Sequence, residues 1–145
     1  MLISGTGFET DGDDRIYFPE FDDPATNNGV AENGDDENAQ SLFAKLSYAD
    51  FTLQVDYMDR DKRFPTASYD TVFNDRRNKT SDSQTHVFLG YAHSFQNQVE
   101  INADINYGRY DYHGAYVYDY SDTAVPDPVV WDDDSDAGLW LPVVF

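Results

Sequence analysis

Chemistry in this chain would have to come from carboxylates and histidines, because it has no cysteine and only 9 Lys and Arg against 28 Asp and Glu. Asp132, Asp134 and Asp136 have the alternating spacing with which a flexible loop offers oxygens to calcium. The glycine such a loop needs for its sharp turn is replaced by Ala137, and the closing glutamate by Val143. The run therefore reads as a solvated acidic loop, and Asp11 to Asp14 and Asp35 to Glu37 are weaker candidates still. His86, His93 and His113 are the only histidines, and none pairs with another at a ligand spacing, so no metal triad is expected. No Gly-x-Ser-x-Gly elbow is present for a serine nucleophile. Gly5-Thr6-Gly7 lacks the third glycine and the following helix of a dinucleotide loop and reads as part of a first strand. Asn78-Lys79-Thr80 matches a glycosylation triplet, a pattern that arises often by chance. Carboxylate pairs suited to glycoside hydrolysis are too abundant to single one out. The chain is expected to be no enzyme and to carry no metal or cofactor.

The elements that hold these residues follow from composition and period. The formal charge is −19, and the acid is 23 Asp with 5 Glu, a type that favours turns over helix interiors. A mainly helical protein is not expected. At pI ≈ 4.1 the summed field repels phosphate backbones, and no basic stripe interrupts it, so nucleic acid is not an expected partner. The absence of cysteine rules out disulfide frameworks and thiolate zinc sites without naming a compartment. No run approaches the ~18 apolar residues of a spanning helix, and Met1 to Asp14 has neither the basic start nor the apolar core of an export signal. With 11 Tyr and 10 Phe, the aromatic content favours sheets.

Strict alternation then places the strands. Leu42, Ala44, Leu46 and Tyr48 share one face, and after Ala49-Asp50-Phe51 the pattern resumes with Leu53, Val55 and Tyr57 opposite Thr52, Gln54, Asp56 and Met58. A second hairpin has Val87, Leu89 and Tyr91, a link through His93 to Asn97, and a return strand in which Val99, Ile101, Ala103, Ile105 and Tyr107 alternate with Glu100, Asn102, Asp104 and Asn106. A one-residue slip there would exchange an apolar face for a polar one, so register is strongly specified. The polar face is expected to continue into Arg109, Asp111 and His113. Strands are expected near 2–10, 41–49, 52–60, 85–93 and 98–112, in a unit spanning 1–122, with 123–145 a divergent acidic and apolar tail.

Links within each hairpin are short, whereas the segments between hairpins, near 11–40, 59–83 and beyond 112, are long and rich in turn formers such as Asp23-Pro24-Ala25-Thr26-Asn27-Asn28-Gly29. Structureless loops of that length need a reason in a compact soluble domain. Outer-membrane barrels supply one, with short turns at one rim, long loops at the other, and strands alternating apolar outward and polar inward. The expected fold class is all-β, an antiparallel meander of about five strands forming part of a transmembrane β-barrel with long acidic loops. Tyr48, Tyr57, Tyr91 and Tyr107 each close an apolar strand face, either as an aromatic girdle at the membrane boundary or simply as good strand formers.

Tyr17-Phe18-Pro19-Glu20-Phe21-Asp22-Asp23-Pro24-Ala25-Thr26-Asn27-Asn28-Gly29, then Ser41 to Tyr48, Asp50 to Leu53 and Pro65-Thr66-Ala67-Ser68-Tyr69-Asp70-Thr71-Val72-Phe73-Asn74-Asp75, resemble the barrel of TonB-dependent receptors. Tyr107 to Tyr112 and Tyr116 to Tyr120 look like the same group, so the resemblance covers about residues 4 to 120.

The resemblance implies an active transporter in the Gram-negative outer membrane that takes up scarce ligands such as iron-siderophore complexes or cobalamin through a plugged barrel. Its partners would be outer-membrane lipid, the remaining barrel and plug, the TonB complex through that plug, and a small-molecule ligand. Five strands cannot close a barrel, and no plug or TonB box is recognisable, so the chain is expected to be a fragment. Tyr69, Phe73, Asn74, Asp75, Arg76 and Arg77 lie where receptor loops gather ligand, with loop packing as the competing reading. Asp56, Glu100, Asn102, Asp104 and Asn106 would face the lumen. The ending Leu139-Trp140-Leu141-Pro142-Val143-Val144-Phe145 finishes in Phe, as barrels recognised by assembly machinery do, but Pro142 removes a ladder donor. The alternatives are a secreted or periplasmic antiparallel β-sandwich that binds carbohydrate, and a non-functional truncated product.

Overall fold

Alternating sequence becomes one twisted ladder in the computed structural model, which describes residues 1–96, 99–119 and 129–144, with no account of side chains at 129–136 and 143–144. The main strands are β1 (Leu2–Thr10), β4 (Glu37–Tyr48), β5 (Phe51–Arg63), β6 (Lys79–Ser94), β7 (Glu100–Asp119) and β8 (Val129–Trp140), with a short β2 (Arg15–Tyr17), β3 (Val30–Glu32) and β9 (Val143–Val144). The order β1-β4-β5-β6-β7-β8 is an antiparallel meander, β9 pairs with β7, and β2 with β3 forms a separate two-stranded sheet. The all-β antiparallel expectation holds.

Several particulars differ from the sequence reading. The path has six strands, because residues 129–140, expected in a divergent tail, form β8 along the upper part of β7. Asp132, Asp134 and Asp136 lie in that strand, paired with Tyr116, Gly114 and Tyr112, so the acidic run is not a loop. An extended backbone carries its residues away from one another where a calcium loop would wrap them round a point. Trp140 opposite Gly108 and Val143 opposite Ile105 fall in one uninterrupted register, and the Asn106 N–H donates to the Pro142 carbonyl at 3.1 Å. Pro142 thus interrupts the strand without shifting it. Phe145 lies outside the described residues.

The strands also run further than their apolar alternation, since β4 begins at Glu37, β5 reaches Arg63, β6 begins at Lys79 and β7 continues to Asp119. Cross-strand pairing sustains the ladder where the hydrophobic period has faded. Register between β6 and β7 is unbroken from Ser94–Glu100 to Lys79–Ala115. Without a bulge, Arg109, Asp111 and His113 share the face of Ile105 and Tyr107, and do not continue the face of Asn106 as expected. The two faces of β7 therefore exchange character at Gly108.

Across the sheet the apolar rows align. Leu46, Leu53, Leu89 and Ile105 form one, and Ile3, Ala44, Val55, Val87 and Tyr107 the next. Tyr48, Phe51, Tyr91 and Ala103 close this belt at the short-turn end, and Leu42, Tyr57, Thr85 and Arg109 close it at the other. Beyond that row the same face turns polar, with Gln40, Asp59, Ser83 and Asp111, then Asn38, Asp61, Ser81 and His113. The belt is uncovered: Leu46 is 48 % exposed, Leu89 43 % and Ile105 50 %. The buried side chains Ala31, Thr71, Asn78, Ala115 and Val117 gather at the long-loop end instead.

Candidate functional site

At the long-loop end the two inter-hairpin segments pack into an ordered cap. Its anchor is Asn78, 1 % exposed, whose amide donates to the Val72 carbonyl at 2.9 Å and accepts the Val117 N–H at 2.8 Å. The Val72 N–H donates to the Val117 carbonyl at 2.7 Å, so the segment between β5 and β6 is laced to the top of β7 by satisfied polar groups. The Asn78 carbonyl accepts from the Phe64 N–H at 3.4 Å, which leaves the triplet Asn78-Lys79-Thr80 with a structural asparagine.

The other half of the cap starts with Asp23, whose carboxylate accepts the Ala25 N–H at 2.8 Å ahead of a 3-10 turn over Pro24–Gly29. Gly29 has φ +71, and a Cβ there would collide with the Phe18 carbonyl. Phe18 and Phe21 meet Phe73 from the neighbouring loop, edge-on at 5.7 Å and stacked at 4.4 Å. The Lys62 ammonium lies 2.7 Å from Asp35, and the Arg60 guanidinium 2.7 Å from Glu37. The hydrogen bond from Lys62 holds the Asp35 carboxyl below its ordinary range, and that from Arg60 does the same to Glu37.

The six loop residues singled out in the sequence come to one end of the molecule but do not share one role. Phe73 is a packing residue between Phe18 and Phe21. Asn74 accepts the Glu32 N–H at 2.7 Å, tying its loop to β3. Asp75 pairs with Arg77 at 2.6 Å, and this hydrogen bond lowers the carboxyl pKa. The Arg76 carbonyl accepts from Arg63 Nε at 3.0 Å, while its side chain lines a cavity of about 290 Å³ with Asp11, Asp14, Asn33, Asp36 and Arg63. Tyr69 is 77 % exposed, with φ +61 between Ala67 at +47 and Asp70 at +63. Among the described residues no cluster of His, Asp and Glu has the geometry to hold a metal ion.

The four girdle tyrosines divide between the belt margins, Tyr48 and Tyr91 beside Phe51 at the short-turn end, Tyr57 and Tyr107 toward the other. His93 Nδ1 lies 2.9 Å from Asp50, joining the two short turns, and its ring lies parallel to Tyr91 and edge-on to Phe95. On the opposite face Asp56 accepts from Gln54 at 3.1 Å with His86 3.6 Å away, and Asp104 accepts from Asn106 at 2.7 Å. Glu100 and Asn102 share that face at the lower end of β7.

What the sequence reading missed is higher on that face. Strict alternation puts Tyr110, Tyr112, Tyr116 and Tyr118 together, interrupted by Gly114, where a Cβ would collide with the Tyr112 and Tyr116 rings. Their common parity was the available signal, obscured by reading the polar face through Arg109. The Tyr110 hydroxyl donates to Asp82 at 2.5 Å, and the Tyr112 and Tyr116 hydroxyls are bonded to each other. Phe64 and Tyr69 close on Tyr116 with ring centroids 5.9 and 6.0 Å away. Compared with known proteins, the chain matches no family model, no curated relative and no solved structure.

Proposed function

We propose that this chain is a segment of an outer-membrane barrel of the TonB-dependent receptor type, taking part in active uptake of a scarce small-molecule ligand and catalysing no reaction. The observation that carries the reading is the confinement of the apolar belt to one face and one end of the sheet, in rows aligned across the strands, with that face turning polar beyond it. From the Tyr48–Phe51 row to the Leu42–Tyr57 row the belt runs roughly 20 Å along the strands at ~3.4 Å per residue, so strands tilted as in such barrels would stand it roughly 15 Å tall, within their ~25 Å apolar band. Half-exposed Leu46, Leu89 and Ile105 fit a lipid-facing surface better than the dry interface a β-sandwich builds between two sheets. Two short turns at the belt end, against long packed segments at the other, support the same orientation.

In this reading the partners are outer-membrane lipid, further barrel strands and a plug that engages the TonB complex. Residues 1–145 in aqueous buffer are expected to aggregate and to give stable β circular dichroism only with detergent or added receptor strands. Light scattering beside the dichroism reads this, and a soluble, monomeric, cooperatively unfolding sheet without detergent would overturn the reading in favour of the sandwich.

A further inference from the structure

The tyrosine face of β7 has a composition that neither the belt nor the cap requires. From Tyr110 to Tyr118 it presents phenol rings over roughly 27 Å of strand, in two pairs each stepped by roughly 7 Å, with a gap of roughly 14 Å at Gly114 that the Tyr112 and Tyr116 hydroxyls bridge. Gly108 and Gly114 contribute no side chain, and what fills their space is aromatic: Trp140 lies over Gly108, and Tyr112 and Tyr116 close over Gly114. The track starts under exposed Tyr69, which sits edge-on to Tyr116, and ends near Trp140, itself 40 % exposed. The rings are half-buried, so they have both packing support and open surface. A purely structural strand on a solvated face would have no need of this succession of large amphipathic rings.

We propose that this face is a binding track for an uncharged, hydroxyl-rich oligosaccharide. The inference rests on the transporter reading for its direction of travel, and it names the class of solute carried. Tyrosine offers an apolar ring face to the C–H face of a sugar ring and a hydroxyl to its alcohols. Beside the rings, the Asp82 carboxylate, which already accepts from Tyr110, has lone pairs for alcohol donors. Charge on this face selects the ligand further. Arg60 is paired with Glu37 and Lys62 with Asp35, while Asp82 and Asp56 add negative charge, so an anionic solute meets a repulsive field. A point cation would be held by walls converging on one spot. Here the rings follow one another along a strand, which matches an extended ligand with repeating units.

The test is calorimetric titration of the full chain, in whichever medium dichroism shows it folded, with maltohexaose and cellohexaose as neutral probes. A hexamer of alginate serves as the anionic probe and a hexamer of glucosamine as the cationic one. At least one neutral hexamer is expected to bind. Tyr112→Ala and Tyr118→Ala are expected to weaken it about tenfold or more, Tyr112→Phe by much less, and belt-face Tyr57→Ala by less than twofold. Tyr118→Ala, close to the strand end, keeps the comparison available if Tyr112→Ala loses its dichroism. Failure of both neutral hexamers to bind folded chain, equal binding by the alanine variants, or binding of a charged hexamer alone would overturn the track. The medium in which the chain folds tests the membrane reading separately, so the two can fail independently.

Discussion

Asn78 concentrates more structural consequence than any other single side chain described, because both ends of its amide are committed while it is nearly fully buried. Asn78→Ala strands the Val117 N–H and the Val72 carbonyl in the least accessible part of the molecule, at a cost of roughly 3 kcal/mol. The expected result is a lower denaturation midpoint with loss of hydrogen-exchange protection at the Val117 amide, and unchanged protection there would show that water substitutes for the side chain. The carboxylates of the cap have a pH signature. Lys62 depresses Asp35 and Arg77 depresses Asp75, so each contributes stability that is present above the unfolded-state pKa and lost as pH falls through the folded value. Cap stability should therefore be flat near neutrality and fall below about pH 4. Near-ultraviolet dichroism against pH reads this, and Asp35→Asn should flatten the acid limb.

At the scale of elements, β7 is the strand on which the two faces trade roles. A valine at Gly108 would occupy the space of the Trp140 ring, so Gly108→Val is expected to displace that ring and change tryptophan emission while the β6–β7 ladder persists. The belt makes a sharper claim about alternation. Since the chain has no cysteine, single spin labels at Leu53→Cys, Gln54→Cys, Val55→Cys and Asp56→Cys report one site each. In a detergent-folded sample, oxygen accessibility is expected to be high at 53 and 55 and low at 54 and 56. Labels placed at Asp59 and Asp61, on the same face above the belt, should be reached by water-soluble relaxants instead. Uniform accessibility along β5 would mean that the belt does not face lipid.

For the molecule as a whole, β1 and β8 each have a single neighbour along the strand order among the described residues, so ladder groups on both margins are available to further strands. Much of this was legible in the sequence. The period of two from Leu42 to Tyr57 and from Val87 to Tyr107 placed four strands and their apolar faces, because a half-buried strand cannot hide which side faces away from water. The acid-rich turn segments also declared themselves through residues that tolerate positive φ, as Asn27 and Asn28 do. Other features were decided between distant segments. β8 forms where the chain at 129–140 meets a β7 already paired on its other edge, and acidic residues give no local sign of that. Arg109, Asp111 and His113 sit on the belt side because the ladder runs without a bulge, a fact about hydrogen bonding to β6 that composition does not encode. Likewise the roles of Phe73 and Asn74 came from partners they meet only in the folded cap, whereas Asp75 pairs with Arg77 two residues along its own segment. The sequence by itself determined the all-β class, the alternation and the belt, since these depend on neighbours two residues away. Tertiary structure decided the sixth strand and the cap, since these depend on contacts between segments distant in the chain.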